Sequence, residues 1–225
     1  MTWSPLPLSA SLSLVGPSAG DAPRPRVGPA GLAWHQRALK RGLDLGLASL
    51  ALLPGAPLIA LLAVLVRLDS AGPAFYRQTR VGRDGGEFTL YKLRTMPPDA
   101  EPDGPVWAIR GDRRATRLGA WLRRYSLDEL PQLWNVLRGD MSLVGPRPER
   151  PYFVARFAAR IPRYAERHRM RGGLTGWAQV NGLRGDVSIE ARTRCDLWYI
   201  QHWSLGLDLR ILLRTLVELV RRPGY

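Results

Sequence analysis

Cysteine is nearly missing. The single Cys195 in 225 residues excludes an intrachain disulfide and reads as an ordinary buried thiol in a reducing compartment. His35, His168 and His202 are scattered, so no Cys/His set has zinc spacing. Residues 1–20 lack the basic n-region of a signal peptide. There is no internal repeat and no P-loop Lys-Ser/Thr. Carboxylates are scarce as well: 19 Asp and Glu stand against 33 Lys and Arg, for a net charge of +14. That imbalance implies anionic partners, whether nucleic acid, anionic lipid headgroups or phosphorylated substrates. The chain carries no RNP, zinc or helix-turn-helix pattern, which argues against nucleic acid.

The length fits one medium domain with extras. Residues 1–33 are rich in Pro, Ser, Ala and Gly and read as a disordered or loosely ordered arm. A membrane segment is expected over 34–68 and a catalytic domain over 69–225. Arg37, Lys40 and Arg41 precede an uncharged apolar run over 45–66. Its 22 residues would make a helix of roughly 33 Å, enough to cross a bilayer. Pro54, Gly55 and Pro57 interrupt it, and both flanks are basic. An interior proline breaks the hydrogen-bond ladder, and the positive-inside tendency puts both flanks on the cytoplasmic face. A re-entrant helix–break–helix meets both conditions; a kinked spanning helix and a buried soluble helix are the alternatives.

Downstream, two β-prone runs flank Asp84-Gly85-Gly86 and predict a hairpin. Lys92 and Arg94 alternate with apolar neighbours and so share a face, either as cations for a diphosphate or as a solvated basic edge. A short helix is expected over 115–125, with Trp121 at an interface or in the core. A basic helical segment over 152–170 should break near Pro162. A glycine-dense loop over 171–186 carries Arg184. The last helix, over 207–222, is amphipathic and either lies on a bilayer or packs on the domain.

The richest stretch is Ser126-Leu127-Asp128-Glu129-Leu130-Pro131-Gln132-Leu133-Trp134-Asn135, continuing to Val144-Gly145-Pro146-Arg147-Pro148. Ser126 and Glu129 fit a capping box, or the helix begins at Pro131. Either way an acidic pair stands at a helix N-terminus, where the dipole favours ionised carboxylates and incoming phosphate. Arg110, Arg113, Arg114, Arg117, Arg123 and Arg124 crowd in from upstream. An acidic pair in so basic a neighbourhood suits phosphates meeting a carboxylate and a divalent cation. Arg123 is the better candidate there for a phosphate contact.

From about Lys40 to the C-terminus the chain resembles the bacterial sugar transferases, the monotopic phosphoglycosyl transferases that start glycan assembly on a polyprenyl phosphate. Asp128-Glu129 through Pro146-Arg147-Pro148 carries the resemblance, with Lys92-Leu93-Arg94-Thr95-Met96 and the segments around Asn181-Gly182 and Trp203-Ser204. Ala56-Pro57 stands where the family usually has Ser-Pro. The chain reads as a compact version, without the spanning helices of longer members. The implied fold is α+β and mostly helical: a re-entrant membrane helix and a small cytoplasmic domain with a β-hairpin and interfacial helices.

The implied reaction moves a sugar-1-phosphate from a UDP-sugar, best matched to a UDP-hexose, onto undecaprenyl phosphate at the bacterial cytoplasmic membrane. Asp128 would be the nucleophile, and Glu129, with Asp128, would hold Mg²⁺. Lys92, Arg94, Arg123, Pro146, Arg147 and Arg184 would bind substrate. Asp208 joins them by resemblance, although its position in the first turn of the last helix reads more readily as a cap. The product would enter exopolysaccharide, capsule, O-antigen or glycoconjugate synthesis; a homodimer is left open.

Overall fold

The computed structural model describes residues 32–221 except 103, 108, 110 and 186. Most of the expected arm, and the calls on Arg110, Asp186 and Arg222, lie outside the described residues. The chain is α+β and mostly helical. Helix α1, Trp34–Asp69, leads into strands β1, Phe75–Val81, and β2, Glu87–Leu93. Then come α2, Arg117–Arg124, a 3₁₀ turn, Leu127–Glu129, α3, Gln132–Arg138, and β3, Met141–Val144. Helix α4, Pro151–Ala158, is followed by a second 3₁₀ segment, Tyr164–Arg169, and by β4, Gly172–Thr175. Helices α5, Trp177–Val180, α6, Ile189–Gln201, and α7, Leu205–Arg221, close the chain.

Helix α1 runs unbroken through Pro54 and Pro57, where an interruption was expected. Each proline removes only one i→i−4 bond, so the ladder resumes on either side. The helix is long and apolar enough to cross a membrane by length and composition. It is attached to the rest of the protein at both ends. Ala48 joins the main core, with Leu133, Val136, Met141, Tyr199 and Ile211. Leu62 and Val66 join a smaller core with Leu93 and Leu122. Between them the apolar surface is bare: Leu53 is 76% exposed.

The hairpin forms as expected, antiparallel with Phe75 opposite Leu93 and Val81 opposite Glu87. Its turn places Asp84 at φ +56°, a left-handed conformation that Asp tolerates. The break near Pro162 falls between α4 and the Tyr164–Arg169 segment. Trp121 is exposed rather than in the core, its ring 5.4 Å from that of Tyr125.

Hydrophobic pattern did not reveal the second sheet, in which β3 and β4 pair in parallel. Here two backbones nearly touch. A Cβ on Gly173 would stand 2.1 Å from the Gly145 nitrogen, and one on Gly145 would stand 2.5 Å from the Arg171 carbonyl oxygen. Only glycine at both positions lets the chain after β3 lie against β4, and the loop that leaves β3 carries Arg147. Gly173→Ala should therefore lower stability by about 3 kcal/mol or more, because the contact is with backbone that cannot rotate away. Gly42→Ala in α1 meets nothing within 4 Å and should stabilise by up to about 1 kcal/mol through helix propensity. Thermal melting of the two variants in detergent checks the pair.

Candidate active site

The acidic pair lies on the Leu127–Glu129 turn, immediately before α3. Ser126 sits in the left-handed region at φ +55° and its side chain caps nothing. The capping box is thus absent, because the Glu129 carboxylate is engaged elsewhere. The alternative start is one residue early: α3 begins at Gln132, and Pro131 is its N-cap rather than its first residue. Glu129 accepts from Lys92 Nζ at 2.7 Å and from both terminal nitrogens of Arg147, at 2.5 and 3.3 Å. One carboxylate thereby joins β2, the 3₁₀ turn and the loop after β3.

These groups open onto a cavity of about 480 Å³. Its described lining includes nine cationic side chains and four carboxylates. Three of the four carboxylates each hold two cations. Glu101 holds Arg114 and Arg150, Glu129 holds Lys92 and Arg147, and Glu149 holds Arg80 and Arg192. Asp128 is the exception. It is only 6% exposed, it lines the cavity, and no described residue donates a hydrogen bond to its carboxylate.

The two neighbours consequently titrate apart. Burial raises the Asp128 carboxyl above its ordinary 3.8; Lys92 opposes the rise and Glu129 adds to it. Burial acts on Glu129 in the same direction, but Arg147 and Lys92 outweigh it and hold that carboxyl well below the usual range. Two adjacent carboxyls driven in opposite directions are a common mark of divided chemical roles.

The structure brings Lys92, Arg94, Arg123, Asp128, Glu129, Arg147 and Arg184 to this one cavity. Their present engagements differ. Arg123 Nε donates to Thr95 Oγ1 at 3.0 Å, and Arg184 Nε donates to the Gln179 carbonyl at 3.2 Å. Arg94 turns its guanidinium back on the end of α1, donating to the carbonyls of Ser70, Ala71 and Pro73 at 2.6–2.7 Å. Pro146 and Asp208 are not among the lining residues. Pro146 is buried, and its carbonyl accepts from Gly173 N at 2.9 Å. Asp208 is fully buried in the first turn of α7, where Lys40 at 2.7 Å, Tyr199 at 2.6 Å and Trp203 at 3.0 Å donate to it.

Sequence reasoning missed Glu149 and Arg192 and gave Arg80 no site role. Tyr76, Gln78 and Arg80 alternate along β1 and line the cavity together, with Tyr76 paired to Lys92. That period-2 pattern was the available signal for Arg80. Glu149 directly follows Pro148; nothing in the sequence separates its partner Arg192 from the other arginines.

The sequence model of the bacterial sugar transferase family matches residues 35–222. The chain belongs to that family. It is 51% identical over 187 residues to a UDP-glucose:undecaprenyl-phosphate glucose-1-phosphate transferase of Caulobacter vibrioides, covering 80% of this chain and 69% of the relative. It is 43% identical over 180 residues to a UDP-N-acetylgalactosamine-undecaprenyl-phosphate N-acetylgalactosaminephosphotransferase of Aeromonas hydrophila, covering 79% and 43%. It is 42% identical over 196 residues to the exopolysaccharide production protein PSS of Rhizobium leguminosarum bv. phaseoli, covering 83% and 98%. The chain thus spans less than half of the second relative's length.

For this transferase the opposed shifts give opposite stability signs. The raised Asp128 pKa means that ionisation costs folding free energy at neutral pH, so Asp128→Asn should keep or raise the melting temperature. The lowered Glu129 pKa means that its ionised form stabilises above the unfolded value near 4.5, and that this is lost as pH falls through the folded value. Glu129→Gln should cost about 1–3 kcal/mol at pH 7, discounted for partial exposure, and less at acid pH. Melting curves of both variants at neutral and acid pH test the signs.

Proposed function

We propose that this chain transfers a sugar-1-phosphate from a UDP-hexose to a polyprenyl phosphate such as undecaprenyl phosphate. The observation that carries this reading is the Asp128 carboxylate, unpaired among the described residues, in a cavity whose other lining carboxylates each hold two cations. A carboxylate without hydrogen-bond donors keeps its lone pairs for attack on phosphorus. The surrounding cations lower the repulsion between that carboxylate and an anionic diphosphate. The names of the relatives support the substrate class: one acts on UDP-glucose and another on UDP-N-acetylgalactosamine.

In the first step an Asp128 oxygen attacks the β-phosphorus of the UDP-sugar. The bond from that phosphorus to the bridging oxygen breaks, and UMP leaves with the electron pair. The enzyme then carries the sugar-1-phosphate as an acyl phosphodiester on Asp128. In the second step a phosphate oxygen of the lipid attacks the same phosphorus, releases the carboxylate and forms the lipid diphosphate sugar. Lys92 and Arg147, held by Glu129, stand beside the reacting carboxylate, and Arg123 and Arg184 add positive charge along the cavity. Asp128, with Glu129 next to it, would hold a Mg²⁺. Among the described residues no group of three His, Cys, Asp or Glu forms, so diphosphate and water oxygens would complete the shell. Such a Mg²⁺ would neutralise diphosphate charge.

The lipid acceptor calls for a membrane. We place α1 in one leaflet of the bacterial cytoplasmic membrane as a re-entrant element, with the catalytic domain on the cytoplasmic face. The support is that both ends of α1 pack on one domain while its apolar middle, around Leu50, Leu53 and Leu61, is exposed. Leu209, Leu213, Leu216 and Val217 form a second exposed apolar stripe along α7, which suits the surface of the same membrane. The lipid-linked product would serve exopolysaccharide or related glycan assembly.

The expected result with UDP-glucose or another UDP-hexose alone is one equivalent of UMP and a phosphosugar adduct on Asp128, read by mass spectrometry. Asp128→Asn should lose both, and full turnover by that variant rules out the covalent route. The acidic limb of kcat/KM should lie above the ordinary carboxylate value of 3.8, because the nucleophile must be ionised and burial opposes ionisation.

A further inference from the structure

A second, smaller cavity of about 60 Å³ shares no lining residue with the catalytic one. It lies where the start of α1 meets the hairpin turn and the segment leading into β4. Five of its lining residues are cations, Arg37, Lys40, Arg83, Arg169 and Arg171, against the carboxylates Asp44 and Asp84. Most of these have partners. Lys40 is paired with Asp208, Arg83 with Asp84 and Arg169 with Glu166. Asp44 accepts from Ser142 Oγ and from the Leu143 amide. Among the described residues, Arg37 and Arg171 have no carboxylate within salt-bridge distance.

Arg171 is half-buried, and burial together with the Arg83 and Arg41 charges disfavours its ionised form. A Cβ on Gly139 would lie 3.5 Å from Arg41 Nη2 and 3.9 Å from Arg171 Nη2, so both guanidinium groups border that turn. Like charges gathered at a partly buried site are stable when an anion joins them. The volume has room for a phosphate group, not for a nucleotide. Leu32 and Met170 add apolar wall.

Depth selects the ligand. Lys40 precedes the first residue of the apolar run, Leu45, by five positions, a rise of roughly 7.5 Å along the helix. With the apolar middle of α1 in the leaflet, the cavity stands at headgroup level. We propose that it binds the phosphate of an anionic membrane phospholipid between Arg37 and Arg171, with Arg83 at the rim. This site is separate from the one at Asp128 that receives the acceptor lipid's phosphate. The inference rests on the membrane placement under Proposed function, and not on the covalent chemistry.

The test is native mass spectrometry of the full chain in detergent, titrated with phosphatidylglycerol or phosphatidylcholine. The wild type should retain phosphatidylglycerol about tenfold better, as expected for two cations near an anionic headgroup. Arg37→Gln/Arg171→Gln should lose that preference, and Arg171→Lys should keep most of it. Arg37→Gln alone changes an exposed side chain, so a partial loss there reads the site without a folding defect. UMP release in detergent should be unchanged in the double variant. Equal retention of the two lipids by the wild type, or an undiminished preference in the double variant, overturns the proposal. So does a site for free phosphate: inorganic phosphate raising the wild-type melting temperature without any lipid preference. If the wild type releases no UMP, the catalytic reading fails while the lipid comparison still stands.

Discussion

The ion pairs of Glu129 with Lys92 and Arg147 are the constraint on which the site depends. Lys92 comes from the hairpin, Glu129 from the turn before α3, and Arg147 from the loop after β3. Apolar packing brings these elements together, with Leu93 against Leu127 and Leu130 and with Leu90, Leu133 and Val144 in the main core, and the carboxylate ties their three charged side chains to one another. Its burial is incomplete, with 16% of the side chain exposed, and the pairs are therefore less costly to desolvate than fully buried ones. The same arrangement leaves Asp128 one residue away and without a donor among the described residues. A second carboxylate that also took cations would be a structural group; one that takes none is available for chemistry.

The Glu149 and Glu101 pairs extend this logic around the cavity. Glu149 is 5% exposed and joins Arg80 of β1 to Arg192 of α6, while Arg80 also donates to the Pro148 carbonyl at 2.9 Å. From the other side Arg167, paired with Asp196 at 2.7 Å, donates to the Arg147 carbonyl at 2.9 Å. The backbone of Arg147 and Pro148 is thus gripped from two directions. Proline on each side restricts the chain torsions, but these two arginines supply the actual anchoring.

Much of this was legible from residue order, and the rest was hidden for identifiable reasons. The hairpin announced itself through Asp84-Gly85-Gly86, and α1 through its uncharged apolar run, although its continuity across Pro54 and Pro57 did not. The acidic pair stood out because a rare charge sits among many of the opposite sign, and Arg147 because it lies between Pro146 and Pro148. Arg94 misled because strand alternation tells which face a side chain leaves from, not where a long side chain ends; its guanidinium found the free carbonyls at the end of α1. Ser126 misled because a capping box needs Glu129 to fold back locally, and two cations from distant segments compete for it. Asp208 was legible only as a polar residue early in a helix. Its partners Lys40, Tyr199 and Trp203 include one 168 positions away, beyond the reach of local pattern. The parallel pair β3–β4 was hidden because its strands are short and its signal is glycine, which favours turns equally well.

Helix α1 and the Lys92–Glu129–Arg147 cluster are linked more closely than their separation in sequence suggests. Arg41 of α1 donates to the Val136 and Leu137 carbonyls, at the far end of the short helix that begins beside the acidic pair. Asp44 of α1 accepts from Ser142 and Leu143 in β3, whose exit carries Arg147. At the other end of α1, Ser70 and Ala71 accept from Arg94, two residues beyond Lys92. Each member of the Lys92–Glu129–Arg147 cluster is therefore one short element from a polar attachment to α1. The seven residues of α3 span only about 10 Å. On the proposed function, the nucleophile must be held at a fixed height above the hydrocarbon. Three polar attachments, two near the start of α1 and one just past its end, would set that height.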